Sequence, residues 1–404
     1  MKTENARRAA VAATALFALS AGPSWAQVSD DVVRIGVLTD MNGIFSDNSG
    51  AGSVAATELA IEDVGGKVLG KPIEVVSGDH QNKPDIASNM ARQWIDESHV
   101  DVIADVIGSA VTYAVLEIAK EKDVAMLMTG AGASDLTGQY CSPVSVHWVW
   151  DTYSFGGVLG KALADNGAKS FYFITVDYSY GEQMQRDVTR AIEAAGGTVV
   201  GSIKHPFGTS DYASHLLAAQ SSGADAVVLA NAGGDTMNSA KQANEFGLRD
   251  AGQELGAVLG LNELMAAGLE NVQGILAPSA WYWDLDDESR AFAERYKAKT
   301  GKLPSEFHAG VYSSVLHYLK AVEAAGTDEA TKAVAKMKEL PVKDVFARNA
   351  ELRADGRLVH DMYLIRAKSS AESTQPGDVA EIVATIPGND AFRPLDQGGC
   401  PLVK

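Results

Sequence analysis

The sequence predicts an α/β protein built from two lobes, each with a parallel sheet covered by helices. Short apolar segments typical of buried strands alternate with segments that have helical spacing. This alternation runs through the chain twice, with a restart after residues 147–150. Because strand–helix alternation makes consecutive strands parallel and puts helices on both faces of their sheet, each run predicts one lobe.

The elements follow in the order that this fold class requires. For the first lobe the predicted elements are a strand at 32–38, a helix at 54–64, a strand at 73–76, a helix carrying Ile86, Met90 and Trp94, a strand at 102–107, a helix at 111–119 and a strand at 125–128. For the second lobe they are helices at 153–163, 182–195, 212–220 and 236–246, with strands at 171–176, 199–203, 226–229 and 257–261. Helices predicted at 288–299, 308–325 and 329–340 have no strands between them, so we expect them to cover the first sheet. One further strand is predicted at 381–386, in a tail that is otherwise rich in loops.

The composition is that of a globular protein with an acidic surface. The chain has 404 residues, of which 46% are hydrophobic and 21% charged, and its formal net charge is −18. This charge argues against nucleic acid as a partner, and solubility alone accounts for it.

Residues 1–26 are predicted to be a cleaved secretory signal. A basic start is followed by an apolar run at 9–21 and then by the small residues Ser24 and Ala26. The run is too short for a permanent membrane anchor. We therefore expect cleavage ahead of Gln27 and an exported protein in a bacterial periplasm.

The chain has two cysteines, Cys141 and Cys400. Export makes a disulfide between them possible, with two separate buried thiols as the alternative. Their wide spacing excludes a CxxC redox motif and a cysteine-rich metal site.

Three segments resemble cofactor or metal motifs but lack a required residue. Residues 65–71 match a P-loop up to Pro72, which stands where Ser or Thr is needed and has no N–H. Residues 130–132 begin like a dinucleotide fingerprint, but Asp135 occupies the third glycine position. The acidic residues at 284–288 lack the spacing of a calcium loop. We predict no cofactor, no metal and no enzymatic activity, and an exported α/β enzyme remains the alternative class.

Small and hydroxyl residues follow two predicted strands of the first lobe, at 108–112 and 129–134. Exposed N–H groups at such turns form a nest that binds carboxylates, although helix capping and turn formation also account for these residues. The second lobe has corresponding turns at 177–181 and 231–235. Three consecutive aromatic residues at 281–283 either pack in the core or line a cleft between the lobes.

The chain resembles the solute-binding proteins of the branched-chain amino acid (Leu/Ile/Val) type that serve ABC importers. The resemblance extends from Val33 to about residue 386, and its clearest segments are 34–43, 177–182 and 244–248. It implies the type I periplasmic binding fold, in which two Rossmann-like lobes are joined by a three-crossing hinge. The implied division is lobe 1 at 28–148 plus 281–360, lobe 2 at 149–280 plus 361–390, and a tail at 391–404 that returns to lobe 1.

The resemblance also implies a site in the cleft. The turns at 109–112 and 131–134 would hold a ligand carboxylate, Tyr180 would reach the ligand from the second lobe, and Glu263 is the candidate partner for an ammonium group. Together with the aromatic walls of the cleft, the candidate ligand-binding residues are Phe45, Ser109, Ala110, Thr112, Ala131, Gly132, Ala133, Ser134, Trp150, Tyr180, Asn231, Glu263 and Trp281.

Two departures from the family pattern bear on the ligand. Phe45, Ser46, Asp47 and Asn48 stand where the family often has a cleft tyrosine, and Ala232 replaces another. These differences leave amino-acid specificity open. The chain resembles more closely a branch of the family in which some relatives carry aromatic carboxylates, so we expect a hydrophobic or aromatic carboxylate, with a branched-chain or other amino acid as the alternative. The expected function is capture by cleft closure, without chemistry, by a monomer that delivers the solute to the permease of an ABC importer. A ligand-sensing module for a signalling receptor is a further alternative.

Overall fold

The computed structural model describes residues 28–403. The predicted secretory signal at 1–26 lies outside these residues. Within residues 28–403, no helix is both long and apolar enough to cross a membrane.

The described chain alternates between strands and helices over most of its length. In chain order the strands are β1 (Val33–Thr39), β2 (Lys67–Val68), β3 (Lys71–Asp79), β4 (Val102–Asp105), β5 (Ala125–Met128), β6 (Ser145–His147), β7 (Ser170–Val176), β8 (Thr198–His205), β9 (Ala226–Ala230), β10 (Glu254–Ala257), β11 (Leu276–Ser279), β12 (Glu351–Leu352), β13 (Leu358–Val359), β14 (Met362–Ala367) and β15 (Ala380–Ile386). The helices are α1 (Gly50–Asp63), α2 (Pro84–Ser98), α3 (Ser109–Lys122), α4 (Thr152–Asp165), α5 (Ser179–Ala194), α6 (Ala213–Ser221), α7 (Gly234–Glu245), α8 (Leu261–Ala267), α9 (Leu269–Val272), α10 (Asp287–Thr300), α11 (Glu306–Ala325), α12 (Ala330–Glu339) and α13 (Gly388–Ala391). Short 3₁₀ helices lie at Ser134–Thr137 and Leu395–Gln397.

Lobe 1 is formed around a six-stranded sheet in the order β2-β3-β1-β4-β5-β6. The pairs from β3 to β6 are parallel, and β2 is antiparallel to β3. Every residue of β4 and β5 is buried, because helices cover both faces of the sheet. The continuous apolar runs that predicted these strands are a consequence of this two-sided burial.

Lobe 2 is formed around a seven-stranded sheet in the order β15-β14-β11-β10-β9-β7-β8. Strands β7 to β11 are parallel to one another, whereas β14 is antiparallel to both β11 and β15. Helices α4 and α5 pack against each other beside this sheet.

The chain passes between the lobes three times, after β6, after β11 and after β13. After the second passage, α10 and α11 pack on α1, and α12 contacts β5. The prediction that three consecutive helices cover the first sheet is thus confirmed, and so is the α/β fold with two lobes.

Lobe 2 differs from its predicted strand pattern at one end. A strand was expected at 257–261, but β10 ends at Ala257 and α8 begins at Leu261. The start of β10 is hidden because Glu254 and Gly256 interrupt its apolar run. Strands β11 and β14 were not predicted at all, and β11 contains Pro278, which is unusual inside a strand.

The C-terminal segment is tied to lobe 1. Cys141 and Cys400 form a disulfide with Cα atoms 5.6 Å apart, which decides between the two alternatives for the cysteines. Arg393 in the same segment donates a hydrogen bond to the carbonyl of Ser134 at 2.9 Å. The tail therefore supports the 3₁₀ helix that follows β5.

Candidate functional site

A cavity lies between the two lobes, with an empty volume of about 490 Å³ that includes its mouth. From lobe 1 and the first passage it is lined by Phe45, Asn48, Ile107, Gly108, Ser109, Gly130, Gly132, Trp150, Glu306 and Phe307. From lobe 2 it is lined by Tyr178, Tyr180, Ala232, Gly233, Val258, Gly260 and Glu263. A mostly apolar, enclosed cavity with a few polar groups is typical of a small-molecule site.

The N-terminus of α3 opens onto this cavity. The turn from β4 into α3 passes through Gly108 at φ 95°, a backbone conformation that favours glycine. No side chain caps this helix, so the N–H groups of its first turn, including that of Ser109, lack acceptors within it. These free N–H groups and the helix dipole make this edge of the cavity suitable for a carboxylate.

The second turn of lobe 1 lies beside the first. The hydroxyl of Ser109 accepts a hydrogen bond from the N–H of Ala133 at 3.2 Å, which joins the two turns. Between them, Gly132 allows two aromatic rings to approach. A Cβ atom at this position would lie 2.6 Å from the Trp150 ring and 2.8 Å from the Tyr180 ring, so only glycine fits there.

Aromatic rings form one wall of the cavity, centred on Trp150. Its ring is stacked on Phe155 with centroids 3.9 Å apart, and its edge contacts include Tyr180 at 6.3 Å and Phe307 at 5.8 Å. The indole N–H donates to Glu306 Oε1 at 2.6 Å, which fixes the orientation of the ring. This wall suits a flat or branched apolar group on the ligand.

Tyr180 places an unsatisfied hydroxyl in the cavity. The side chain is 3% exposed, yet its hydroxyl has no hydrogen-bond partner among the described residues. Burial raises the pKa of Tyr180 well above its ordinary value, and Tyr178, Glu263 and Glu306 add to the effect. The hydroxyl is therefore protonated and available as a donor to a ligand.

Two buried carboxyl groups face the cavity from opposite lobes. Glu263 accepts hydrogen bonds from the amide of Asn48 and from the N–H of Gly260. Burial raises the pKa of Glu263, because a charge is poorly solvated there. It raises the pKa of Glu306 to about 7, with the charge of Glu263 adding to the shift. Among the lining residues, all of which belong to the described chain, there is no Lys, Arg or His.

The structure brings together six of the residues that the sequence singled out for the ligand. They are Phe45, Ser109, Gly132, Trp150, Tyr180 and Glu263. Ala110, Ala131 and Ala133 are neighbours of these residues in the two turns but are not part of the lining.

Four other candidates have their polar atoms engaged elsewhere. Thr112 donates to the carbonyl of Val106 at 2.7 Å, inside the turn. Asn231 is bonded within lobe 2, to Thr236 at 2.9 Å among others. Trp281 donates its indole N–H to the carbonyl of Val345 at 2.9 Å.

The fourth of these candidates, Ser134, lies outside the lining and bonds to the other lobe. Its hydroxyl donates to Asp187 of α5 at 2.8 Å. The three aromatic residues at 281–283 are likewise outside the lining and pack in the core, with their indole and phenol groups bonded within the fold.

Sequence reasoning missed several residues that line the cavity, of which Asn48, Tyr178, Glu306 and Phe307 are the largest polar or aromatic ones. Tyr178 could have been found, because it stands two residues before Tyr180 in the same turn. Glu306 gave no usable signal, since a glutamate directly after Ser305 also fits the ordinary preference for acidic residues in the first turn of a helix.

The fold and the cavity define a two-lobed binding protein that encloses a small solute. The sequence profile of the periplasmic binding protein family matches residues 32–373, and the chain belongs to this family. Proteins of this family are solute-binding proteins with an extracytoplasmic location.

Solved structures and curated relatives agree with this assignment. A periplasmic binding protein from Burkholderia mallei is 43% identical with a TM-score of 0.90, covering 93% of this chain and 100% of that one. A branched-chain amino acid ABC transporter periplasmic ligand-binding protein from Burkholderia xenovorans is 40% identical with a TM-score of 0.85, covering 92% and 100%. The Leu/Ile/Val-binding protein homolog 6 of Brucella melitensis is 28% identical, covering 82% of this chain and 85% of its own length.

A more distant solved structure shares the fold. It is a solute-binding protein of an ABC transporter from Rhodopseudomonas palustris in complex with benzoate, 22% identical with a TM-score of 0.81, covering 92% of this chain and 99% of that one.

Proposed function

We propose that this protein is the solute receptor of an ABC importer and that its ligand is an amino acid with an apolar or aromatic side chain. Two carboxyl groups, Glu263 and Glu306, support an amino group on the ligand. Both line the cavity, and the lining contains no Lys, Arg or His. An ammonium group would neutralise charge at this end of the cavity.

The other parts of the ligand have matching surfaces. The free N–H groups at the start of α3 suit a carboxylate, and the hydroxyl of Tyr180 adds a donor. The aromatic wall around Trp150 suits the apolar side chain. Branched-chain amino acids are also what the names of related proteins from Burkholderia xenovorans and Brucella melitensis indicate for those proteins.

A hydrophobic or aromatic carboxylate without an amino group is the second candidate. The aromatic wall favours it, and the fold relative from Rhodopseudomonas palustris holds benzoate. The acidic pair weighs against it, because a ligand anion would lie near two buried carboxyl groups. We therefore rank the amino acid first, whereas the sequence alone favoured the aromatic acid.

The proposed mechanism is capture without a covalent step. The lobes separate to admit the solute, lobe 1 holds its carboxylate, and lobe 2 closes over it through Tyr180 and Glu263. Closure is favoured only by the difference in affinity between the closed and open forms. We propose that a monomer in the closed form delivers the solute to a membrane permease.

The test is a thermal-shift screen of the purified protein after unfolding and refolding to remove any bound solute. The panel consists of matched pairs, leucine with 4-methylpentanoate and phenylalanine with 3-phenylpropanoate, together with benzoate, with glucose as a control. A ligand at about 100 times its Kd stabilises the protein by roughly 2.7 kcal/mol, a clear rise in Tm. Shifts from the amino acids support the proposal, shifts from the deaminated acids alone support the second candidate, and no shift from any acid refutes both.

A further inference from the structure

We infer that Glu306 selects the charge of the ligand, so that the cavity accepts solutes carrying a cationic group beside Trp150 and rejects solutes whose only charge is a carboxylate. This inference rests on the proposed function as a small-solute receptor. It adds a residue of lobe 1 to a recognition role that the sequence pattern indicates only for Glu263 of lobe 2.

Glu306 is buried and faces the cavity. It is the first residue of α11, its side chain is 5% exposed, and it lines the cavity next to Phe307. Its carboxylate accepts hydrogen bonds from Trp150 Nε1 at 2.6 Å, from the hydroxyl of Ser279 at 2.9 Å and from the N–H of Ala280 at 2.6 Å. These three donors are neutral, so they hold the carboxyl group in place without supplying a counter-charge.

A second carboxyl group, that of Glu263, adds to the negative charge near Glu306. Glu263 interacts with Glu306 electrostatically, and burial together with that charge raises the pKa of Glu306 to about 7. Because both side chains are buried, such charges are weakly screened. A cationic group near the two carboxyl groups stabilises their ionised forms, whereas an anionic group is repelled by whichever of them is ionised.

An aromatic surface lies beside Glu306. Trp150 is oriented by its bond to Glu306, and Tyr180 lies against the edge of the same ring. Faces of Trp and Tyr attract an ammonium or alkylammonium group, and the attraction is stronger when water is excluded. The carboxyl pair and the rings therefore favour the same ligand group.

Glu306→Gln tests the inference, because it removes the charge and keeps the size. The measurement is the Kd, by isothermal titration calorimetry, of phenylalanine and of 3-phenylpropanoate, which differ by the amino group. For the wild-type protein we expect phenylalanine to bind at least tenfold more tightly. In Glu306→Gln we expect this ratio of Kd values to fall by about tenfold or more.

Trp150→Phe is the matched control, since it removes the hydrogen bond to Glu306 and keeps the charge. We expect it to weaken both ligands and to lower the ratio of their Kd values by clearly less than Glu306→Gln does, because a Phe ring keeps part of the attraction to an ammonium group. A change of the ratio in Trp150→Phe as large as in Glu306→Gln would show that Glu306 acts through the position of the ring and would overturn charge selection.

The wild-type protein also tests the inference without any variant. Binding of 3-phenylpropanoate as tight as that of phenylalanine overturns charge selection and leaves the receptor function intact. An unchanged ratio in a folded Glu306→Gln, verified by circular dichroism, overturns it as well. If neither acid of any matched pair binds, the proposed function fails and charge selection fails with it.

Discussion

Ser134 of lobe 1 donates its hydroxyl to the carboxylate of Asp187 in lobe 2, at 2.8 Å. Arg186 reaches the same hydroxyl from α5 at 2.8 Å, and the N–H of Asp135 donates to Gln183 at 3.2 Å. On the other side of the cavity, Asn48 and Glu263 bond across the lobes. The lobes are thus joined on both sides of the cavity, which is the closed arrangement of a two-lobed receptor.

Ser134→Ala is expected to weaken ligand binding by about tenfold. A hydrogen bond to a charged group contributes about 1.5 kcal/mol or more, and this bond joins the two lobes in the arrangement described above, so we expect it to be lost when they separate. Calorimetry with a solute that shifts the Tm of the wild-type protein measures the effect. Glu193→Gln, exposed on the same α5, is the control that leaves the affinity unchanged. Equal affinities for wild type and Ser134→Ala would show that this bond does not assist closure.

Gly132→Ala is expected to reduce affinity by tenfold or more, because the new Cβ would lie 2.8 Å from the ring of Tyr180 in lobe 2, as well as 2.6 Å from the ring of Trp150. Overpacking of this kind costs about 1–3 kcal/mol. Separation of the lobes relieves the contact with Tyr180 but not the contact with Trp150, which is bonded to Glu306 of lobe 1, so the Tm of the unliganded variant should fall as well. Gly234→Ala is the matched control, since its nearest neighbour is Ile44 Cβ at 3.5 Å. The steric explanation is wrong if both variants bind the ligand like the wild type.

Tyr180→Phe is expected to change stability and affinity in opposite directions. Its buried hydroxyl has no partner among the described residues, so its removal should raise the Tm of the unliganded protein. The same removal should weaken ligand binding by about tenfold, because a donor to the ligand is lost. Tyr212→Phe provides the contrast, since that hydroxyl donates to Asp235 at 3.1 Å and its loss should lower the Tm. A Tyr180→Phe variant with unchanged affinity would remove Tyr180 from the site.

The unliganded protein should lose stability as the pH rises from about 4.5 to 7, in part because of Glu306. Its pKa is raised from 4.5 to about 7 in the folded state, so within this window the folded chain holds a proton that the unfolded chain releases. Glu306→Gln should reduce this loss of unfolding free energy by on the order of 2 kcal/mol. Urea unfolding at several pH values measures the difference. Asp101, whose pKa is raised to about 7, stays in both proteins, so the difference between them isolates Glu306. Identical pH profiles would mean that Glu306 titrates in its ordinary range.

Much of the fold could be predicted because parallel strands are buried on both faces. Strand β5 is the clearest case, since its four apolar residues are bounded by turn residues at both ends. The prediction failed where apolar residues serve another purpose. Val258 follows β10 and lines the cavity, so the apolar run at 257–261 was misread as a strand. Strand β14 is antiparallel to both of its neighbours, β11 and β15, and strand–helix alternation gives no signal for such an addition.

The candidate site was predictable where it depends on local backbone. Ser109 and Gly132 follow β4 and β5, and the carboxyl ends of adjacent parallel strands meet at one edge of a sheet. Glu306 depends instead on tertiary packing, since its role comes from Ser279 and Trp150, which are distant in sequence. Such a partner set becomes visible only once the three passages between the lobes are in place.

The disulfide also sets an order of maturation. Cys400 lies 259 residues after Cys141, so the bridge can form only after both lobes have been synthesised. Until then, the segment from Ser134 to Cys141 lacks its covalent link to the C-terminal tail. Production in a reducing cell would leave the protein without this link, however well both sheets have formed.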